Sequence, residues 1–228
     1  MSVRQDLPAG VFTVGVGGKQ LQLTTSEIEH FAALSIRNPD VMSRSSRLLY
    51  VDLFVWSREF GVNPAAVVQE IRHLEGNEPV LRGTKPAAVF TRKPLAGLRY
   101  KHFFCAAFMA RNIQTGLAKG RLQRIAQDAV KKLGQINPSE TISEEAALAI
   151  SHEVARRCVD ETLEQRRSKS AITGEWIVYA EHEGQNYYLC LARHSEGDEA
   201  IRDRILEFCA AEFPFIREIL RKPDPAVA

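Results

Sequence analysis

The 228-residue sequence predicts an α+β fold, with mainly helical layers packed on a small antiparallel sheet, and three observations carry that expectation. Gly174 to Ala192 alternates with period two around a Glu183-Gly184-Gln185-Asn186 turn, the pattern of a hairpin. Val11 to Val16 and Leu21 to Leu23 flank Gly17, Gly18 and Lys19, a second and smaller hairpin signal. Thr24 with Glu27, and Thr141 with Glu144, are spaced as capping boxes ahead of helices.

In chain order, the first capping box opens a helix carrying Ile28, Phe31 and Leu34 that stops before Pro39. Arg47 to Phe60 follows, with apolar residues all round its axis and Asp52 among them. A helix of that kind is buried on most sides, and its carboxylate is expected to bond a nearby Arg or a cap. Asn63-Pro64 opens a further helix through Leu74. Pro79, Pro86 and Pro94 then break the chain into short extended pieces, of which Ala87 to Thr91 is the best strand. Leu117 to Leu133 reads as a cationic helix, and the second capping box opens a long one reaching Arg167, with Ala147, Ile150, Val154 and Cys158 on one stripe. After the hairpin, Ile201, Ile205, Phe208 and Cys209 mark one face of a helix beginning near Asp198, and Pro214 restarts it. Residues 1–228 are expected to form a single compact domain. The alternative is a boundary near 134–139, where Gly134, Asn137 and Pro138 gather, or a separate hairpin-plus-helix piece at 174–222.

With 45% hydrophobic and 25% charged residues, wholesale disorder is excluded. The longest nearly apolar run, Leu48 to Trp56, is far short of the roughly 20 residues that span a bilayer. Neither a membrane partner nor a standard secretion signal is expected, and a cytoplasmic location fits four dispersed cysteines, Cys105, Cys158, Cys190 and Cys209, without a C-x-x-C pair. No metal ligand set and no cofactor motif is expected. The Gly17-Gly18-Lys19 turn fails as a phosphate loop, with Thr13 and Gln20 where glycine and a hydroxyl residue are required. Neither H-E-x-x-H nor G-x-S-x-G occurs.

The formal net charge of +2 conceals a segregation. Pro79 to Gln127 contains no Asp or Glu and ten cations, leaving −8 on the rest of the chain. Phe90, Tyr100, Phe103, Phe104 and Phe108 lie among those cations. Cations neutralise phosphates and aromatic faces stack on unpaired bases, so the combination points to nucleic acid, single-stranded or RNA by preference. Arg92, Lys93, Arg99, Lys101, Arg121 and Arg124 are the candidate phosphate contacts.

Arg99-Tyr100-Lys101-His102 is the densest group of functional side chains. Metal-independent RNA cleavage needs a base, an acid and cations around the phosphate, so His102 and Lys101, with His182 or Tyr187 from the hairpin, are the candidate catalytic residues. On a regular hairpin His182 and His194 stand about 25 Å apart, so only one of them can join His102. Helices ahead of an antiparallel sheet are similar, in architecture only, to small microbial ribonuclease toxins; the resemblance implies RNA cleavage as a class and assigns no residue. The alternative function is a non-catalytic interaction or regulatory subunit whose basic surface docks an acidic protein partner or its own acidic surface.

Overall fold

The computed structural model describes residues 8–76, 84–104, 109–133, 143–168 and 175–221. The fold is α+β, as the sequence predicts. Strands β1 (Val11–Val16) and β2 (Lys19–Thr24) form the first hairpin, closed by Gly17 and Gly18 at positive φ. Helix α1 (Thr25–Ile36) starts on the expected capping box: Glu27 N donates to Thr24 Oγ1, and Thr24 N donates to Glu27 Oε2 at 2.7 Å. Thr24→Ala is expected to lower stability by about 1 kcal/mol in thermal melts, and no change would remove the cap from the stabilising set.

Helix α2 (Pro39–Ser43) leads into α3 (Arg47–Glu59), whose buried residues Leu48, Leu49, Tyr50, Val51, Leu53 and Trp56 surround the axis. Helix α4 (Pro64–Leu74) begins at the Asn63 cap with Pro64 in its first turn. Strand β3 is shorter than expected, Ala88–Val89, and β4 (Arg99–Phe103) follows. Helix α5 (Met109–Leu117) forms where the sequence predicts only short extended pieces, and the expected cationic helix from Leu117 to Leu133 starts later, as α6 (Arg121–Leu133), after a turn in which Lys119 and Gly120 take positive φ. Helix α7 (Glu144–Arg156) is capped by Ser143 and passes through a π turn at Arg157–Glu161 into α8 (Thr162–Ser168). The expected cap Thr141 and the 134–139 boundary lie outside the described residues. On either side of that segment α6 and α7 pack together, with Lys132 3.6 Å from Glu153 and Arg157 3.8 Å from Asp128. Of the expected apolar stripe on α7, Ala147 is exposed and Ile150, Val154 and Cys158 are only half-buried.

Strands β5 (Glu175–His182) and β6 (Gln185–Ala192) complete an antiparallel sheet of order β3-β4-β5-β6. Each sheet face carries a core. Ile177, Tyr179, Tyr188 and Leu191 pack with α1, α3 and α4 on one face, while Val178, Ala180, Tyr187, Leu189, Cys190 and Ala192 pack with the carboxy-terminal helices on the other. Leu189 and Cys190 join the same core because a bulge shifts the register between Val178 and Tyr179.

Helix α9 (Asp198–Arg204) runs into a second π turn, Ile205–Cys209, and α10 (Ile216–Arg221) ends the described chain. Phe208, expected on the buried face with Ile205 and Cys209, is 42% exposed. The π turn has more residues per turn than the 3.6 period assumes and rotates Phe208 out of the stripe. Helix α10 closes on the β3–β4 loop at Gly97, whose φ is +92° and where a Cβ would stand 3.0 Å from Ile219 Cγ2. Only glycine suits both the dihedral and the space.

Candidate functional site

Strand β4 presents its side chains alternately, and the two faces have different fates. Lys101 points into α4 and is fully buried. Its Nζ donates to Thr84 Oγ1 at 2.8 Å and to Lys85 O at 2.7 Å, with Glu70 Oε2 3.0 Å away as counter-ion. Arg99, on the same face, pairs with Glu181 at 2.8 Å. These two expected phosphate contacts are therefore neutralised within the chain.

Tyr100 and His102 face the other way and build an aromatic platform with residues from three other places in the chain. In register, Tyr100 opposes Val178 and His102 opposes Trp176, so the two rings stand beside that indole. Phe90 lies 4.7 Å from Tyr100 and 5.4 Å from Trp176 between ring centroids. His194, two residues beyond β6, folds back with its centroid 4.2 Å from Trp176 and 5.2 Å from His102, nearly parallel to the latter. Its backbone N–H donates to Glu175 Oε2 at 2.7 Å, which fixes the chain at that corner. Phe90 and His102 are buried, Tyr100 and Trp176 are half-buried, and His194 is exposed. The Trp176 Nε1–H is buried without a hydrogen-bond partner among the described residues.

The histidine that joins His102 is His194. His182 sits six residues along β5 from the partner of His102, about 20 Å away at strand spacing. It stacks flat on Phe215, centroids 4.0 Å apart, and Tyr187 packs edge-on against the same ring while being almost wholly buried. Burial raises the Tyr187 phenol above its ordinary range. The expected pairing of His102 with His182 or Tyr187 is thus not the one that the hairpin geometry makes; a strand eight residues long holds its two ends apart. The sequence admits either His182 or His194 beside His102 and does not choose between them, because His194 comes into place only through the antiparallel return of β6.

Cations in the acid-free block fall into two groups. Arg92 and Lys93 belong to the β3–β4 loop, within three residues of Phe90; both are exposed, and the Lys93 ammonium donates to Leu220 O at 3.1 Å. Arg121 and Arg124 lie on α6, which packs with α5 and α7. Among the described residues Lys85, Arg92, Lys119, Arg121 and Arg124 make no ion pair. Of the block's aromatics, Phe103 fills the core beside Trp56, and Phe108 lies outside the described residues.

Asp52 takes the structural role expected of it. Arg204 Nη2 reaches both of its oxygens at 2.7 and 2.8 Å, and Leu191 N donates to Oδ2 at 2.9 Å. Burial nevertheless pushes the Asp52 carboxyl up to about 7, outweighing the Arg204 charge and the Leu191 hydrogen bond. The folded chain holds this proton across a range, from the ordinary carboxylate pKa to about 7, in which the unfolded chain has released it. Stability relative to Asp52→Asn is therefore expected to fall as pH rises through that window and to level off above it. Denaturant melts of both proteins across the window check this, and a constant difference would sink it.

Burial also holds the thiols of Cys190 and Cys209 well above their usual range, which removes them as nucleophiles at neutral pH. Among the described residues no three His, Cys, Asp or Glu side chains gather as a metal-binding group, and no helix is long and apolar enough to cross a membrane. No protein-family model, no curated protein and no solved structure matches the chain.

Proposed function

We propose that the protein binds single-stranded nucleic acid, RNA by preference, on the sheet face bearing Tyr100, Trp176 and His194. The observation that carries this reading is the platform itself, three partly or fully exposed rings on one face, with the exposed cations Arg92 and Lys93 following within three residues of Phe90, which packs on Tyr100 and Trp176. Rings on a sheet stack unpaired bases without regard to sequence, and adjacent cations hold the phosphates. Arg121 and Arg124 on α6 are further candidate phosphate contacts, whereas Lys101 is buried against Glu70 and Arg99 is paired with Glu181.

Binding to a fluorescent oligoribonucleotide across a salt series tests it. Affinity is expected to fall steeply with salt, and Arg92→Ala with Lys93→Ala to reduce the log–log slope by about 1.4, at roughly 0.7 for each phosphate no longer neutralised. Affinity indifferent to salt would remove the nucleic-acid reading.

Metal-independent cleavage is the catalytic form of the same proposal, with His194 as the group in reach of the phosphate and His102 stacked behind it. RNA incubated with the protein in chelator separates the two forms: cleavage lost in His194→Ala identifies an endoribonuclease, and intact RNA under every condition leaves a binder. A protein-docking role is supported by a different feature, the apolar side chains Leu122, Val130, Leu148 and Val159 exposed on α6, α7 and the turn after α7.

A further inference from the structure

A separate cleft of about 420 Å³ opens between the first hairpin, α3 and the π turn after α9. It falls within the roughly 300–1,000 Å³ of small-molecule sites. Phe12, Val14, Val51, Val55 and Phe208 make its walls apolar, and its polar side is formed by Asp52 and Arg204.

The bonding of that polar pair decides what charge the cleft accepts. Arg204 commits Nη2 to Asp52 and Nη1 to Glu196, so one guanidinium already serves two carboxylates. An incoming anion would meet a pair of carboxylates with no unshared cation. Arg204 keeps N–H donors, but its single charge is shared between two carboxylates, so an incoming cation on Asp52 is the charge-favoured ligand. A carboxylate has about four acceptor positions, and Oδ2 takes Leu191 N and Arg204 while Oδ1 takes Arg204 alone. With Asp52 ionised the three-residue network carries −1, set at the base of an apolar wall where charge is weakly screened.

We propose that this cleft binds a small molecule with an apolar body and one cationic amine, the amine donating to Asp52 Oδ1. A cation there favours the ionised carboxylate, so binding is coupled to release of the Asp52 proton. The charged and titratable groups facing Asp52 are Arg204 on α9, Glu196 ahead of α9, Cys190 on β6 and Cys209 on the π turn; burial keeps both thiols protonated near neutrality.

Calorimetric titration of the full chain with octylamine, 1-octanol and octanoate tests the assignment, since the three probes share an apolar tail and differ in the head group. Octylamine is expected to bind at least about tenfold more tightly than octanol, and octanoate most weakly. Between about pH 6 and about pH 8 the amine affinity is expected to rise about tenfold as Asp52 ionises, while octanol affinity stays level. Val55→Trp, which fills the cleft, should abolish all binding. Asp52→Asn should bring amine and alcohol to the same affinity; because the wild-type pH series reads the same coupling, a poorly folded variant does not rescue the idea. Octanoate binding as tightly as octylamine, a flat pH profile for the amine, or amine binding untouched by Val55→Trp would each overturn the proposal.

Discussion

Lys101→Met is expected to destabilise the protein by about 3–5 kcal/mol, because it leaves Glu70 buried with no counter-ion. Among the described residues neither Glu70 oxygen has a hydrogen-bond partner of good geometry, and the Lys101 charge 3.0 Å away stabilises the carboxylate. The same substitution releases Thr84 and Lys85 O from the ammonium. In a chain of this size the loss corresponds to a fall in Tm on the order of 10 °C. Combining it with Glu70→Leu removes both charges and should restore most of the stability, since replacing a buried pair with apolar side chains is often neutral or favourable. Thermal and urea melts of the single and double variants check this. A single variant as stable as the wild type would make Lys101 a functional cation again.

Trp176→Ala is expected to weaken oligoribonucleotide binding roughly 5- to 150-fold, the effect of about 1–3 kcal/mol of base stacking per aromatic ring. Trp176 is the ring that touches the most of the platform, with Phe90, Tyr100, His102 and His194 all around it. Trp176→Phe should keep much of the affinity, because stacking requires a flat π face and not the indole N–H. The salt dependence should stay that of the wild type, since no charge is removed. Fluorescence anisotropy at two salt concentrations separates these effects, and far-ultraviolet circular dichroism verifies that the hairpin is intact. Unchanged affinity in Trp176→Ala would place the nucleic acid on a different surface.

Elements with strong local signals are legible in the residues themselves. Thr24 and Glu27 cap α1 because both partners lie within one turn, and the 174–192 alternation becomes β5 and β6 because period two is a property of the chain itself. Asp52 is readable as a paired carboxylate, since a charge in so apolar a helix needs a partner. The details that depart from expectation share a cause. Phe208 and the α7 stripe are expected to be buried only if the helix is regular and has a neighbour on its apolar side. A π turn alters the first, and among the described residues α7 packs on α6 with no side chain fully buried, which leaves the second half-exposed.

Sequence alone determined the α+β class, the two hairpins, the starts of α1, α3, α4 and α9 and the segregation of charge, because each depends on residues close together along the chain, whereas α5 and the late start of α6 carried no such local signal. It also placed Tyr100 and His102 on one face of an extended segment and Arg99 and Lys101 on the other. What that arrangement serves was decided only by tertiary structure. Glu70 lies 31 positions before Lys101 and His194 lies 92 positions after His102, and antiparallel pairing with helix packing brings each pair into contact. One face of β4 was thereby closed into an ion pair, and the other was assembled into a platform of rings.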